Sequence, residues 1–490
     1  MGSQIDKGKE VYPTSFEVLD DPRPDDISLP AFMVSTTRGF LPRMDPIVSL
    51  PREFAFLEYV LQEMPVKKAN GEPGLLARGE LGEFILRDLP DLTEHIDTYK
   101  DNLPLMNALY RDYSFLASAY LLEPCHHNFI KGEPYGLGRP VLPSVIARPI
   151  ARCAELCDFK PFMEYAGSYA LFNYKLLDPK GELEYSNLGL IRAFEHGLHA
   201  GSSEAGFVLV HVDMVKNSGP LVKGTVGTLD ACTTEAPRAD LNIHLSIILS
   251  SLVQINGSME KMWGRSKPGE YTSFRTFIFG ITSQSMFPNG VVYEGVGEDG
   301  KPKSFRGESG ANDSMIPLMD NLLQIPMPDT PLTTILEDFR SYRPSNHRQF
   351  LAWVRGRSEQ LGLKNWVLGL DADNEDDDEV LESRRLWLKI LNQVRDFRWR
   401  HWCFAREYII KKTSHPTATG GSPILTWLPN QLQAVLDEMA RLYEDLCQRG
   451  GDLGEECRDI IDLVERQRET LRKEVAKFCE ERGVAAAVAA

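Results

Sequence analysis

The chain has 490 residues, of which 42% are apolar and 25% are charged, a balance typical of soluble globular proteins. Such a length corresponds to about two or three domains, and the composition excludes wholesale disorder. Acidic residues outnumber basic ones by 70 to 54, so the formal net charge is −16. A chain this acidic binds phosphate backbones and anionic lipid poorly. The sequence therefore predicts neither nucleic acid nor a membrane as a partner.

The cysteines and the apolar segments indicate the cellular compartment. The N-terminal segment MGSQIDKGKE lacks the apolar stretch of a secretory signal, and no window reaches the ~18 apolar residues of a membrane-spanning helix. The eight cysteines are scattered and form no CxxC pair. This pattern favours free thiols in a reducing compartment over a disulfide framework. We expect a cytoplasmic protein and a monomer.

In chain order, residues 1–30 are rich in Pro, Asp and Lys and are predicted to form an extended arm. Residues 31–195 are predicted to form a small, mixed and mostly helical N-terminal domain. A large helical domain is predicted over 196–425. Within it, FVLVHV at 207–212 is the window most like a β-strand, although its continuation also fits a helix. Residues 426–490 are predicted to form a C-terminal helical extension and tail.

A helical period of 3.6 residues dominates the second half of the chain. The segments that carry it are 239–262, 271–281, 314–324, 332–341, 345–361 and 381–412. Residues 424–485 resemble two long surface helices that are broken at a cluster of glycines. The predicted fold class is therefore mainly α, with a large all-helical domain and a smaller mixed N-terminal one.

Three motifs that could indicate a ligand site fail in their context. The segment 295–300, GVGEDG, matches a dinucleotide-binding fingerprint as a string, but no buried strand precedes it and no helix follows. A turn is the favoured interpretation. The acidic run 371–379 lacks the alternating ligands of a calcium loop and is predicted to be a solvated loop. The adjacent residues 125–127, Cys-His-His, do not easily converge on one metal ion.

Two histidines lie on apolar faces of predicted helices. His401 shares a stripe with residues at alternating spacings of four and three, namely Ile390, Val394, Phe397, Phe404 and Tyr408. His211 lies among Phe207, Val210 and Met214 if that segment is helical. An imidazole in such surroundings needs a hydrogen bond or a metal ion. Taken alone, each histidine also fits a hydrogen-bonded residue of the core.

Two further features suggest a ligand pocket. Arg275 lies on an aromatic-rich helix face with Tyr271 and Phe274, where an arginine that reaches out to solvent is the alternative interpretation. The segment 418–422 is a loop of small residues, ATGGS. Together with the two histidines, these features suggest a haem pocket in a helical domain, because haem iron commonly takes one axial histidine.

At these residues the sequence resembles the indoleamine 2,3-dioxygenase family, and its length and extensions are similar to those of fungal members. The resemblance covers residues 14–430. It rests on many short blocks in the same order rather than on one diagnostic motif. The blocks are Val141-Leu142-Pro143, Tyr165-Ala166, Gly206 to Val210, Arg275 with Gly280, Val292 to Gly295, Asp320 to Leu323, Tyr342-Arg343-Pro344 with His347-Arg348 and Phe350-Leu351, Arg398 with His401 and Tyr408-Ile409, and Thr419-Gly420-Gly421.

The resemblance implies a haem-dependent dioxygenase of tryptophan catabolism. The family inserts both atoms of O2 across the indole C2–C3 bond of L-tryptophan, which gives N-formyl-L-kynurenine at the start of the kynurenine pathway. It also implies one haem b in the large domain, with O2 as co-substrate and a small-molecule indole as substrate.

The resemblance further implies a role for each matching residue. By position, His401 matches the proximal ligand of the haem iron, and Arg398 with Asp320 matches the pair that braces the haem and its proximal helix. Arg275 matches the residue that binds the substrate carboxylate. Other matches are the apolar walls around the indole (Tyr165, Phe207, Val208, Ile278), the small residues beside the haem (Ser309, Gly310) and the loop that closes over the amino acid (Thr419, Gly420, Gly421).

Two departures from the family pattern bear on the substrate. His211 stands where mammalian members carry a small serine, and it could hydrogen-bond the indole N–H or bound oxygen. His211 and Arg275 are the predicted catalytic residues. Glu270 stands where an aromatic residue is usual, and a pair between Glu270 and Arg275 would weaken carboxylate binding. The alternatives are therefore the same haem fold acting on a different indole or amino-acid-derived substrate, and a catalytically silent haem-binding protein.

Overall fold

The computed structural model describes residues 12–297, 300–326, 332–370, 378–415, 417–449 and 452–483. Residues 1–11 of the predicted arm, residues 371–377 of the acidic run and the end of the chain from 484 lie outside the described residues. Helices account for 60% of the structure and strands for 4%, which confirms the mainly α prediction.

The N-terminal half contains one long helix surrounded by shorter ones. The helices are α1 (Ala55–Glu63), α2 (Leu75–Arg78), α3 (Leu81–Asp88), α4 (Thr93–Thr98), α5 (Leu103–Ile130) and α6 (Ser144–Cys157). The side chain of Asn102 caps α5 by accepting a hydrogen bond from the Leu105 N–H at 3.1 Å. Most of α5 is buried, and it contacts both a short π-helix at Tyr165–Tyr169 and a 3₁₀ turn at Thr276–Ile278. It therefore links two segments that carry predicted substrate-wall residues.

The second half is a helical assembly built around two long helices. The helices are α7 (Ser203–Val215), α8 (Ser218–Thr233), α9 (Arg238–Glu260), α10 (Met262–Arg265), α11 (Pro268–Arg275), α12 (Met315–Leu322), α13 (Leu332–Arg340), α14 (Ser345–Gln360), α15 (Leu363–Leu368), α16 (Asp378–Phe404), α17 (Ile424–Gln448) and α18 (Glu455–Arg482). Helix α16 packs along α9 on one side and α17 on another. The predicted boundary between residues 425 and 426 falls inside α17.

The strand-like window at 207–212 is helical and lies within α7. Ser202 caps this helix by accepting a hydrogen bond from the Ala205 N–H at 3.1 Å. Nearly every residue of α7 is buried, so both faces are apolar and no amphipathic period is visible. The apolar run therefore reflects burial on all sides rather than a strand.

The described strands are short. β1 (Val141–Leu142) pairs in parallel with β4 (Val291–Tyr293), which pairs antiparallel with β5 (Pro302–Lys303), and β2 (Tyr174–Leu176) pairs antiparallel with β3 (Leu188–Leu190). The GVGEDG string connects β4 to β5. Gly295 and Gly297 have φ values of 72° and 75°, which a turn requires and glycine adopts without strain. The described part of the string, 295–297 and 300, lies in turns and bends, and residues 298 and 299 lie outside the described residues.

The eight cysteines lie within the described residues, and all of them are free thiols, as predicted. Among the helices that the structure describes, none is long and apolar enough to cross a membrane.

Candidate active site

One cavity lies where α7, α11, α16 and α17 meet the segment 308–313 and the loop 418–422. It encloses about 1150 Å³ of empty space, including its open mouth. Aromatic and methionine side chains form much of the wall. The lining residues are Tyr165, Phe207, His211, Met214, Met259, Met262, Tyr271, Glu308, Ser309, Gly310, Ala311, Asp313, Phe397, His401, Phe404, Ala405, Tyr408, Ile409, Ala418, Thr419, Ser422, Ile424, Trp427 and Leu428.

The structure brings many of the sequence-predicted residues to this cavity. Those that line it are Tyr165, Phe207, His211, Ser309, Gly310, His401 and Thr419. The others do not line it, namely Val208, Arg275, Ile278, Asp320, Arg398, Gly420 and Gly421, and Asp320 lines a second cavity instead. The predicted residues that line the first cavity come from five separate parts of the chain.

His401 lies in the last turn of α16 and lines the cavity. The first members of its predicted stripe, Ile390 and Val394, are fully buried in the core, whereas Phe397 and Phe404 line the cavity with it. Burial and the nearby His211 lower the pKa of His401 to about 4. The imidazole is therefore neutral at pH 7, and neither ring nitrogen has a hydrogen-bond partner within the described part of the chain.

A π-helix at Ala405–Ile410 follows α16 directly. This wider turn presents Ala405, Tyr408 and Ile409 to the cavity. Tyr408 anchors it by donating a hydrogen bond to the Ser266 carbonyl at 2.5 Å. Single turns of π-helix are frequent at functional sites because they change which side chains face a ligand.

The predicted pair of Arg398 and Asp320 is formed. Nη2 of Arg398 donates to both carboxylate oxygens of Asp320, at 2.8 and 2.7 Å, and thereby joins α16 to α12. Burial raises the pKa of Asp320, while Arg398 lowers it. Removing Arg398 or Asp320 would leave the charge of the other residue partly buried without its counter-ion, which is costly.

His211 presents one ring nitrogen to the cavity. Its Nδ1 lies 2.8 Å from the Phe207 carbonyl oxygen, which accepts only, so Nδ1 carries the proton. The neutral ring then has an unprotonated Nε2, and a Cβ placed on Gly310 would lie 3.7 Å from that atom. Burial lowers the pKa of His211, which favours this neutral form. The Nε2 lone pair can therefore accept a hydrogen bond from a ligand.

Arg275 is fully buried at the end of α11. Its Nη2 donates to the Thr417 carbonyl at 2.9 Å, and its guanidinium lies 4.5 Å from the centre of the Phe279 ring. The other two nitrogens, Nε and Nη1, have no hydrogen-bond partner among the residues the structure describes. Buried donors without partners are uncommon in proteins and often indicate a ligand.

Glu270 does not pair with Arg275. Its carboxylate accepts from the Ser203 hydroxyl at 2.5 Å and from Lys267 Nζ at 3.0 Å, and it is partly exposed at the surface. The condition under which Glu270 would weaken carboxylate binding by Arg275 is therefore not met. The reason is geometric: Lys267 lies one turn before Glu270 on the same helix face.

The loop 417–421 is held in place by hydrogen bonds to four consecutive carbonyls. Arg275 donates to Thr417, Gln284 Nε2 to Ala418 at 2.7 Å, the Gly280 N–H to Thr419 at 2.9 Å and Arg306 Nη1 to Gly420 at 2.8 Å. Gly421 has a φ of 85°, and a Cβ on Gly420 would lie 2.7 Å from the Phe339 ring. Both positions therefore require glycine.

Sequence reasoning missed Glu308, which lines the cavity and is 2% exposed. Its Oε1 is buried without a hydrogen-bond partner in the described residues. Burial and the nearby Glu164 raise the pKa of Glu308 to about 8. The available signal was an acidic residue between two small ones, Gly307 and Ser309.

Comparison with known proteins agrees with this geometry. A family model described as Indoleamine 2,3-dioxygenase matches residues 28–443. The rat protein named indoleamine 2,3-dioxygenase 1 is 26% identical over 76% of this chain and 89% of its own. Indoleamine 2,3-dioxygenase acdA of Aspergillus candidus is 25% identical over 84% of this chain and 97% of its own. The 6-hydroxytryptophan 2,3-dioxygenase fscD of Fusarium equiseti is 24% identical over 66% and 73%.

The cavity and the long match define a haem-dependent dioxygenase, an enzyme of the oxidoreductase class. The chain belongs to the indoleamine 2,3-dioxygenase family, which includes fungal members.

The residues of the cavity fit a haem group. His401 offers a neutral imidazole without another partner, which is the form that ligates iron. Methionine and aromatic side chains surround it, and Ser309, Gly310 and Ala311 leave room on the adjoining wall.

Proposed function

We propose that this enzyme converts L-tryptophan and O2 to N-formyl-L-kynurenine, with haem b bound in the cavity through His401. The observation that carries this proposal is the neutral, unpartnered imidazole of His401 in the cavity that His211, Tyr165 and Phe207 also line. When bound, haem would supply the iron centre at which O2 is activated. The residues around it then have to bind and orient the indole.

Tyr165, Phe207 and His211 are the groups that would hold the indole ring. The rings of Tyr165 and Phe207 lie 5.6 and 4.8 Å from that of His211, so the three form one continuous wall. Val208 and Ile278 are fully buried and support this wall from behind. The lone pair on Nε2 of His211 accepts the indole N–H, which fixes the orientation of the C2–C3 bond.

Arg275 would bind the substrate carboxylate through Nε and Nη1. These two donors have no partner in the part of the chain that the structure describes, and a carboxylate accepts two parallel hydrogen bonds from a guanidinium. Thr419, Gly420 and Gly421 close over the amino-acid end, because the carbonyls of residues 417–420 are held by fixed donors. The closed loop excludes water from the reacting indole.

The proposed reaction balances without a reductant. The C2–C3 bond of the indole is broken, and one oxygen atom of O2 is added to each carbon. The protein contributes proximity and orientation, and no side chain has to gain or lose a proton overall.

A ring-modified indole is the second candidate substrate. It is favoured by the similarity to a relative named for 6-hydroxytryptophan.

Turnover with ¹⁸O2 tests the proposal. The reduced holoenzyme is supplied with L-tryptophan or with 6-hydroxytryptophan, and the product mass is measured. We expect N-formylkynurenine that carries two ¹⁸O atoms. Incorporation of a single ¹⁸O atom, or no product from L-tryptophan beside rapid turnover of the hydroxylated substrate, would contradict it.

A further inference from the structure

We propose that Glu308 binds the α-ammonium group of the substrate, so that the cavity selects a zwitterionic amino acid over an indole acid without an amino group. This inference rests on the proposed function, because it assigns a role at the same cavity. It concerns a residue that none of the matching sequence blocks contains.

The first argument is that one carboxyl oxygen of Glu308 is buried without a partner among the described residues. The residue is 2% exposed, it lines the cavity, and its Oε1 has no hydrogen bond among the described residues. Two other buried carboxyls nearby are satisfied: Glu164 accepts from the Ala166 N–H at 2.9 Å, and Asp313 accepts from the Met315 N–H at 3.0 Å. A buried carboxyl without a partner is costly, so Glu308 is the one that a ligand can satisfy.

The second argument is that Glu308 lies at the amino-acid end of the cavity. Its backbone carbonyl accepts a hydrogen bond from the Thr419 hydroxyl at 2.6 Å, which ties it to the closing loop. Arg275 contacts the same loop, because its Nη2 donates to the Thr417 carbonyl at 2.9 Å. The loop therefore joins the residue that can bind a carboxylate to the one that can bind an ammonium.

The third argument concerns the competing role, a direct ion pair between Glu308 and Arg275. No hydrogen bond joins these two residues in the described structure, and each keeps buried polar atoms without partners. A substrate that carries both an ammonium and a carboxylate satisfies both sets at once. An acid that lacks the ammonium leaves the Glu308 carboxyl unpaired in the complex, which weakens its binding.

Equilibrium binding to the holoenzyme without O2 tests the proposal. L-Tryptophan is compared with indole-3-propionate, which keeps the carboxylate and lacks the amino group, in the wild type and in Glu308→Gln. We expect Glu308→Gln to raise the Kd of L-tryptophan about 10- to 100-fold and to leave that of indole-3-propionate within about twofold, because one charge-assisted contact is lost. Asp313→Asn is the matched control, since it removes a satisfied carboxyl of the same cavity, and its ratio of the two Kd values should equal that of the wild type.

Proton release gives a second readout that a purely structural role would not change. With a pKa of about 8, the Glu308 carboxyl is protonated in the empty cavity at neutral pH, so ammonium binding should release up to one proton. Calorimetry of L-tryptophan binding at pH 7 in buffers of different ionisation enthalpy counts that proton, and Glu308→Gln should abolish it. The titratable groups that interact electrostatically with the Glu308 carboxyl are Glu164, Tyr165, Tyr169 and Tyr271. The Glu308→Gln variant changes none of these four residues.

Three results would overturn the assignment: an equal loss of affinity for both ligands, an unchanged Kd for L-tryptophan, or tighter binding of both ligands by Glu308→Gln. The last result would mean that Glu308 only neutralises Arg275. Because these titrations measure binding alone, an enzyme that turns over no indole would refute the proposed function, while the Kd ratio would still decide the role of Glu308.

Discussion

His401 occupies the turn of α16 where the helix leaves the core and reaches the cavity. The same spacing that buries Ile390 and Val394 brings this imidazole into a space lined by aromatic and methionine side chains. The ring opens onto the cavity and has no hydrogen-bond partner in the described residues, so a ligand in the cavity can bind it. At the residue scale, this is the strongest reason to assign haem to the cavity.

Replacement of His401 by Ala should abolish stable haem binding, because it removes the protein ligand assigned to the iron. The haem content of the purified protein, measured per chain, should fall from about one to near zero, and free imidazole added during reconstitution should restore part of it.

His126→Ala is the control for this experiment. His126 is buried, and neither of its nitrogens has a partner among the described residues, yet it lies against Phe277 and does not line the cavity. It should keep full haem content. Equal loss of haem in both variants, or normal haem in His401→Ala, would contradict the assignment.

At the residue scale, the sequence predicted the positions of those side chains that lie on a regular helical period. His401 and His211 could be placed because a helical period separates buried from exposed positions, and both now line one cavity. Glu308 could not be placed, since it lies in an irregular segment where no period applies. The partner of Glu270 could not be chosen between Arg275 and Lys267, because spacing along the chain cannot show which charge lies closer.

At the scale of elements, α18 braces the helix that carries His401. The family match ends at residue 443, within α17, so α18 lies outside it. Glu474 of α18 accepts a hydrogen bond from Trp402 Nε1 at 2.7 Å and also pairs with Arg406 of the π-helix. Gln467 of α18 accepts from Arg395 Nη1 at 2.8 Å. These contacts fix α16 and its π-helix on the side away from the cavity.

Glu474→Gln should therefore loosen the segment around His401 without unfolding the protein. We expect haem to dissociate roughly tenfold faster, which corresponds to ~1.4 kcal/mol. The rate is measured by transfer of haem to an excess of a haem scavenger.

The matched control is Glu469→Gln on the same helix. Glu469 pairs only with Arg472 and Lys473 of α18 in the described structure, and such exposed pairs contribute little. The brace would be refuted if both variants lost haem at the wild-type rate or if both accelerated equally.

Helix positions followed from the sequence, whereas local helix type did not. The predicted segment 381–412 corresponds to α16 and the π-helix after it. The extra residue of a π-turn is stabilised by tertiary contacts such as the hydrogen bond from Tyr408 to Ser266, and no single-sequence pattern reports these. The apolar window at 207–212 remained ambiguous for a related reason, because complete burial removes the amphipathic period.

At the scale of the whole molecule, the cavity forms only when distant parts of the chain come together. Tyr165 comes from the N-terminal half, His211 and His401 from separate helices, and Trp427 from α17. Trp427 lies beyond the predicted end of the large domain at 425. Composition along the chain predicts domain limits, but it cannot show that α17 both lines the cavity and begins the C-terminal extension.

The most direct test of the central claim is an optical spectrum of the purified protein, reduced in the absence of O2. It is recorded before and after addition of L-tryptophan, and again after O2 is admitted. We predict a haem spectrum that shifts when L-tryptophan binds and then develops the absorbance of N-formylkynurenine. A haem spectrum that does not respond to L-tryptophan would contradict the proposed substrate, and a protein without haem even after reconstitution would contradict the assignment of the cavity itself.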